Sequence, residues 1–194
     1  MSEPLTVQIQ GALDRFLSGD AAGKRELITL AEQRLMTLAR KQLGKFGTRP
    51  DETAGVVNEA YLKLHKALDE VRPSTVREFF ALAGLQVQRV LLDMVRSAAR
   101  RKKSSLDDPA GPGDPADQRA AGRSHVDRMI DLHAAIDQLP EDLREVVRLH
   151  FFQGLTYDTI AGVIDVHPDT VKRMVLRAKV KLARELDGFA LGDG

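Results

Sequence analysis

The sequence of 194 residues contains no cysteine and no tryptophan, and only 5% of its residues are aromatic. Without cysteine there can be no disulfide framework and no thiolate metal site, which fits a reducing compartment. No stretch of about 18 apolar residues occurs, and no apolar segment follows a charged amino terminus. We therefore expect a soluble protein of the cytoplasm that has no membrane association.

Signatures of catalysis and of cofactor binding are also missing. The sequence has no phosphate-binding P-loop, no dinucleotide-binding glycine pattern and no G-x-S-x-G nucleophile motif. Its five histidines are dispersed and lack the spacing of metal ligands. We expect that the protein is not an enzyme and that it needs neither a cofactor nor a metal.

Apolar residues recur at helical spacing through most of the chain, and no segment shows the alternation typical of a strand. The sequence therefore predicts an all-α protein. From residue 104 to 124, Pro, Gly and Asp replace the apolar period, which predicts a flexible linker. We expect one helical domain over residues 1–103, a linker over 104–124, a second small helical domain over 125–187 and a tail over 188–194.

The net charge of +1 conceals an uneven distribution. Residues 1–103 carry 18 Lys and Arg against 12 Asp and Glu, whereas residues 125–194 carry 9 against 12. Most cations of the acidic carboxy-terminal segment lie in one predicted helix that begins at Pro168. This concentration, rather than the total, favours a polyanionic partner.

Two short predicted helices near the carboxy terminus carry the clearest local pattern. The first begins near Thr156, a turn follows at residues 165–167, and the second begins at Pro168. One face of the second helix is apolar, and no acid lies between Lys172 and Arg184. A solvated basic face is the ordinary alternative, but the tight turn and the cations together predict a DNA-binding helix-turn-helix. The candidate DNA contacts are Thr170, Lys172, Arg173 and Arg177.

A second cationic segment ends the predicted helix that begins near Val76. Cations at a helix carboxy terminus interact favourably with the helix dipole, which is the ordinary explanation. Five cations in the eight residues 96–103 exceed that need, so we interpret the segment as a phosphate-facing stripe. Its candidate contacts are Arg96, Arg100, Arg101 and Lys102.

Several motifs in one order resemble the extracytoplasmic-function (ECF) sigma factors of bacterial RNA polymerase, and the resemblance covers about residues 5–187. The motifs are Asn58-Glu-Ala-Tyr-Leu-Lys-Leu, Phe79-Phe-Ala-Leu-Ala with Gln88-Arg-Val-Leu-Leu-Asp-Met-Val-Arg, Leu139-Pro-Glu-Asp, Gly154-Leu-Thr-Tyr-Asp-Thr-Ile-Ala and Thr170-Val-Lys-Arg. Arg173 stands where many members have Ser, which leaves the base preference at that position open.

The resemblance implies a division of labour between the two domains. The first would resemble sigma region 2, with Asn58, Glu59 and Lys63 facing core polymerase. Its −10 element contacts would be Arg89, Arg96, Arg100, Arg101 and Lys102, with the loop near residues 71–75 helping to hold an unpaired base. The second would resemble sigma region 4 and read the −35 element through Thr170, Lys172 and Arg173, with Arg177 on phosphate.

Two other classes of protein compete with this interpretation. A stand-alone helix-turn-helix regulator would bind a palindrome as a dimer without polymerase. A helical adaptor would bind only proteins and would show no salt-sensitive affinity for DNA. The implied partners of a sigma factor are core RNA polymerase and promoter DNA, and we expect a monomer when the protein is free. The sequence leaves open the promoter, the activating signal and whether an anti-sigma factor binds.

Overall fold

The computed structural model describes residues 4–43, 50–106 and 125–186, and every structural statement below concerns these residues. Within them, only the backbone is described for residues 34–43, 50–54, 56, 98–99, 101–106 and 125–127. The described residues form helices and connections without a β-strand, which confirms the all-α prediction. No helix among them is both long and apolar enough to cross a membrane.

The amino-terminal half contains four helices and the carboxy-terminal half contains four more. The first four are α1 (Leu5–Leu17), α2 (Ala21–Leu43), α3 (Pro50–Val71) and α4 (Val76–Leu106). The others are α5 (His125–Asp137), α6 (Glu141–Val147), α7 (Tyr157–Ile164) and α8 (Pro168–Glu185). A π-helical turn, Arg148–Phe152, continues α6.

The start of α4 follows from its local sequence. The Thr75 hydroxyl accepts a hydrogen bond from the Glu78 N–H at 3.1 Å, while the Glu78 carboxylate accepts from the Ser74 N–H at 2.7 Å. The reciprocal bonds satisfy amide groups that the first helical turn leaves without a partner. They explain why α4 begins at Val76, and the Ser74 amide lowers the pKa of the Glu78 carboxyl.

Pro140 is the N-cap of α6, with an extended ψ of 146°. One boundary prediction was wrong by a few residues. Helix α4 continues to Leu106, so residues 104–106, predicted as the start of a linker, are helical because no Pro or Gly interrupts them. The rest of the predicted linker, 107–124, and the tail, 188–194, lie outside the described residues, and the domain boundaries stay predictions.

The two halves pack against each other, and two buried clusters each contain residues from both. In one cluster, Phe79 and Phe80 of α4 share the interior with Val146 and Leu149. In the other, Val87 and Val90 of α4 are joined by residues of α5, α6 and α8. The carboxy-terminal half therefore packs against helix α4.

Candidate nucleic-acid interface

Helix α8 packs against the hydrophobic core through its apolar face. Its buried side chains recur at i, i+4, i+7 and i+11, as the sequence predicted, and none is more than 2% exposed: Val171, Val175, Ala178 and Leu182. Ile160 and Ala161 of α7 are buried in the same cluster as Val171 and Val175. The three-residue turn from Asp165 to His167 joins the two helices, so burial of one face determines which side chains of α8 face outwards.

The predicted DNA contacts of α8 lie on its outer side. Lys172, Arg173 and Arg177 are exposed, and Thr170 is half-buried. Arg173 Nη2 donates to Thr170 Oγ1 at 3.1 Å, one turn apart. The structure thus brings three cations and a hydroxyl to the solvent side of a helix whose other side is fixed in the core.

The turn before α8 uses a histidine as its helix cap. His167 is a weak N-cap by residue preference, but its Nδ1 accepts a hydrogen bond from the Asp169 N–H at 3.2 Å. Asp165 ends α7 in the left-handed conformation with φ 55°. Asp tolerates that conformation better than most residues, so both ends of the turn have a local cause.

The three predicted polymerase contacts lie in the middle of α3. Asn58 and Glu59 are exposed, and Lys63 Nζ lies 3.1 Å from Glu59 and 2.8 Å from Asp93 of α4. The hydrogen bond to Asp93 raises the pKa of Lys63, and Glu59 adds to this effect. Lys63 therefore holds α3 to α4 as well as presenting a charge.

Three of the five predicted −10 contacts follow one face of α4, where positions 89, 93, 96 and 100 recur at helical spacing. Arg89, Arg96 and Arg100 are exposed, whereas Asp93 in the same row is paired with Lys63. Arg89 and Arg96 line an open groove of about 430 Å³ between α3 and α4. The side chains of Arg101 and Lys102 lie outside the described residues.

Gln88 is buried, whereas its motif predicted an exposed position facing the promoter. It belongs to the segment expected to meet the promoter, yet it is only 3% exposed. Its Nε2 donates to Asp137 at 3.0 Å, and its Oε1 accepts from Arg148 at 2.7 Å. The sequence signal was weak, because Gln88 lies between Val87 and the exposed Arg89, and nothing nearby identifies its partner.

Another buried polar group is His133 of α5. Its ring stacks on Phe152 with centroids 5.7 Å apart, and its Nδ1 has no hydrogen-bond partner among the described residues. Burial lowers the pKa of His133 to about 4; Asp137 opposes that shift, and Arg96 adds to it. No group of three or more His, Asp or Glu side chains within the described part of the chain is placed to hold a metal ion.

Comparison with known proteins decides the family. The family model described as "ECF sigma factor" matches residues 7–188. This chain belongs to the ECF sigma factor family. The sequence motifs therefore indicated the correct family, and the match spans nearly the whole chain, including both halves of the structure.

Curated relatives match this chain over nearly their full length. The ECF RNA polymerase sigma-E factor of Escherichia coli K12 is 26% identical over 192 residues, covering 92% of this chain and 93% of the relative. The RNA polymerase sigma-H factor of Pseudomonas aeruginosa is 26% identical over 189 residues, covering 92% and 94%. The sigma-E factor of Salmonella typhimurium strain LT2 is 25% identical, covering 92% and 93%.

Membership in this family establishes the general role of the protein. It is an RNA polymerase sigma factor that acts in transcription initiation and associates with core polymerase and promoter DNA. Sigma factors are known as non-enzymatic subunits for DNA recognition. The stand-alone regulator and the protein-only adaptor therefore lose their support.

Proposed function

We propose that this sigma factor reads the −35 element with α8 and the −10 element with the arginine face of α4, while α3 binds core polymerase. The observation that carries the proposal is the orientation of α8. Its apolar face is buried, and its outer side presents Thr170, Lys172, Arg173 and Arg177. A helix with such a surface fits the major groove of B-DNA, which is about 12 Å wide.

The contacts of α8 divide by their position along the helix. Thr170, Lys172 and Arg173 lie in the first two turns, where a recognition helix approaches base edges. Arg173 can donate two hydrogen bonds to guanine, and its bond to Thr170 restricts its conformations before DNA arrives. Arg177 lies one turn further along and suits a phosphate contact, which adds affinity without sequence information.

Leu176 adds an apolar feature to the same surface. It is 61% exposed although it is large and hydrophobic, and it lies between Arg173 and Arg177 along the outer side of α8. A contact with the C5-methyl group of thymine gives it a role, because apolar side chains recognise that group in the major groove.

The face of α4 supports the second part of the proposal. Arg89, Arg96 and Arg100 form a row that follows a phosphate backbone, and the connection from Val71 to Thr75 lies at the amino-terminal end of α4. That connection would help to hold an unpaired base as the strands separate. Asn58, Glu59 and Lys63 form a mixed-charge surface, which suits the protein surface of core polymerase.

A crossed transcription experiment tests the assignment of elements. Run-off transcription with purified core polymerase would use a native promoter, a promoter with an altered −35 element and a promoter with an altered −10 element. Arg173→Ala should lose about 1–3 kcal/mol of discrimination at one −35 position and none at −10. Arg89→Ala with Arg96→Ala should weaken initiation on the native promoter and on the altered −35 promoter by the same factor.

The assignment of each surface to an element depends on which variant affects which of the three promoters. If Arg173→Ala weakened transcription equally on all three templates, Arg173 would be a phosphate contact and would not read a base. If Arg173→Ala changed preference only within the −10 element, the assignment of α8 would be wrong. Arg25, an exposed cation on α2 outside both surfaces, provides the control variant Arg25→Ala.

A further inference from the structure

The groove of about 430 Å³ between α3 and α4 has two walls that follow from helical spacing. One wall is formed by Gln86, Arg89, Asp93 and Arg96, which lie at i, i+3, i+7 and i+10 on one face of α4. The opposite wall is the segment of α3 from residue 63 to residue 70. The volume of the groove lies in the range of small-molecule sites, which is about 300–1,000 Å³.

The walls of the groove carry more positive than negative charge. The two carboxylates, on Asp93 and Glu70, lie 2.8 Å and 3.8 Å from lysines of α3. Arg89 and Arg96 also line the groove, and neither forms an ion pair within the described part of the chain. Arginines without an acidic partner favour an anion in the groove, because guanidinium groups bind phosphate through paired hydrogen bonds.

Gln86 provides a second, independent feature of the groove. It is only 6% exposed, yet it lines the groove, so the open side of this residue faces the ligand space. Among the described residues its side-chain amide has no hydrogen-bond partner, whereas the amide of Gln88 is bonded to Asp137 and Arg148. An enclosed amide that borders a groove offers both a donor and an acceptor to a ligand.

These groups are spread along α4 in a fixed order. With a rise of 1.5 Å per residue, Arg89 lies about 4.5 Å and Arg96 about 15 Å beyond Gln86 along the helix axis. A ligand that engages all three groups is therefore elongated, with a hydrogen-bonding part at one end and negative charge beyond it. Ala67 and Leu92 add apolar surface that suits a ring.

We propose that this groove binds a nucleotide, with the Gln86 amide reading the edge of the base and Arg89 and Arg96 holding phosphate. Glutamine can form two hydrogen bonds with adenine, at N6 and N7, so adenine is the expected base. Two sources supply this chemistry: an unpaired nucleotide of the promoter strand, and a nucleoside phosphate in solution. The first source rests on the proposed function, because it places the −10 strand on α4, and the second does not.

Fluorescence anisotropy of the full chain with labelled single strands tests the reading of the base without polymerase. A thymine strand with one central adenine should bind about fivefold or more tightly than the same strand without it. Gln86→Leu should bring this ratio to about one, whereas Gln10→Leu, at an exposed position of α1, should leave the ratio unchanged. Leucine is similar in size to glutamine and suits a buried position, and circular dichroism of the variant checks that the fold is kept.

The arginines should act differently from Gln86 in the same assay. Arg89→Ala with Arg96→Ala should weaken both strands by the same factor, because phosphate contacts carry no sequence information. The slope of log affinity against log salt should fall by about 1.4, since each phosphate contact on a single strand contributes about 0.7. Arg25→Ala should leave the slope unchanged. An unchanged slope in the double variant would overturn the role of the two arginines.

Calorimetric titration with ATP and with CTP distinguishes the two sources. Tighter binding of ATP than of CTP, lost in Gln86→Leu, would assign the groove to a nucleotide in solution. An adenine preference for strands without binding of ATP would assign it to the promoter strand.

The proposal would be overturned if neither strands nor ATP showed an adenine preference that depends on Gln86. Run-off transcription separates that result from a failure of the proposed function. A chain that transcribed with the expected element dependence, but gave no such preference in the binding assays, would lose only the nucleotide site.

Discussion

The two candidate binding surfaces differ in whether their cations are paired with carboxylates. On α8, Lys172 and Arg177 are exposed, and Arg173 bonds to a neutral hydroxyl. On α3 and α4, Lys63 is paired with Glu59 and Asp93, and Lys66 lies 3.8 Å from Glu70. An ion pair inside a surface reduces its attraction for a polyanion, so similar numbers of cations do not indicate similar affinity for DNA.

The difference supports the proposed placement of a different partner on each half. The surface of α8 suits DNA along its whole outer side. The surface of the amino-terminal half is mixed, because Asp93, which is paired with Lys63, lies between Arg89 and Arg96 in the same row of α4. A charge-balanced patch next to a cationic row fits one protein partner and one DNA partner side by side.

The halves also differ in what they bury, and the largest predicted effect follows from that. His133 is buried with a pKa lowered to about 4, below the usual value of 6.5. The unfolded chain therefore binds a proton that the folded chain excludes as pH falls through 6.5. The contribution of His133 to the free energy of unfolding is fully present above pH 6.5. As the pH falls to 4, the free energy of unfolding should decrease by up to about 3 kcal/mol.

Denaturant titrations between pH 7 and pH 4.5 would measure this loss. His133→Leu should remove most of the dependence between pH 6.5 and pH 5, where carboxylates are still ionised. His65→Gln, a change to an exposed histidine of the amino-terminal half, serves as the control. An unchanged slope in His133→Leu would mean that another group causes the loss.

The next largest effect concerns salt dependence on the two surfaces. Arg177→Ala should reduce the slope of log affinity for promoter DNA against log salt by nearly one, because Arg177 is expected to neutralise one phosphate. Lys63→Ala should change the slope by much less than one, because Asp93 and Glu59 already balance its charge. Equal changes in slope would remove the distinction between the surfaces.

A smaller effect is expected at the mixed-charge patch. Lys63→Ala should weaken binding to core polymerase by about 1 kcal/mol or less, the range for a partly exposed ion pair. Asp93→Ala should change the affinity for core polymerase by a different amount from Lys63→Ala, because it leaves Lys63 charged and paired only with Glu59. Measuring core affinity for both variants and for the double variant would give the coupling energy; a coupling near zero would show that the pair is not used at that interface.

The smallest expected effect compares the caps of α4 and α8, the two helices proposed to contact DNA. Thr75→Ala removes the hydroxyl that caps α4 and should cost about 1 kcal/mol of stability. His167→Ala removes the weaker cap of α8 and should cost about 0.5 kcal/mol. Thermal unfolding of both variants checks the order, and a larger loss for His167→Ala would show that the histidine does more than cap the helix.

Several features could be predicted from sequence because they depend on residues near one another. The apolar period of α8, from Val171 to Leu182, determined which face is buried and hence which cations are outside. The capping pattern after Pro73 located the start of α4. The order of short motifs indicated the ECF sigma factor family, which the family match confirms.

Other features depended on residues distant in sequence, and only the tertiary structure determined them. Arg77 and Glu145 are 68 positions apart, and Gln88 and Arg148 are 60 apart, so no local period relates them. The choice among many such pairings depends on how the halves fit over α4. The sequence thus determined the helices and their exposed chemistry, whereas the packing of α4 against α5 and α6 decided that the two halves close on each other.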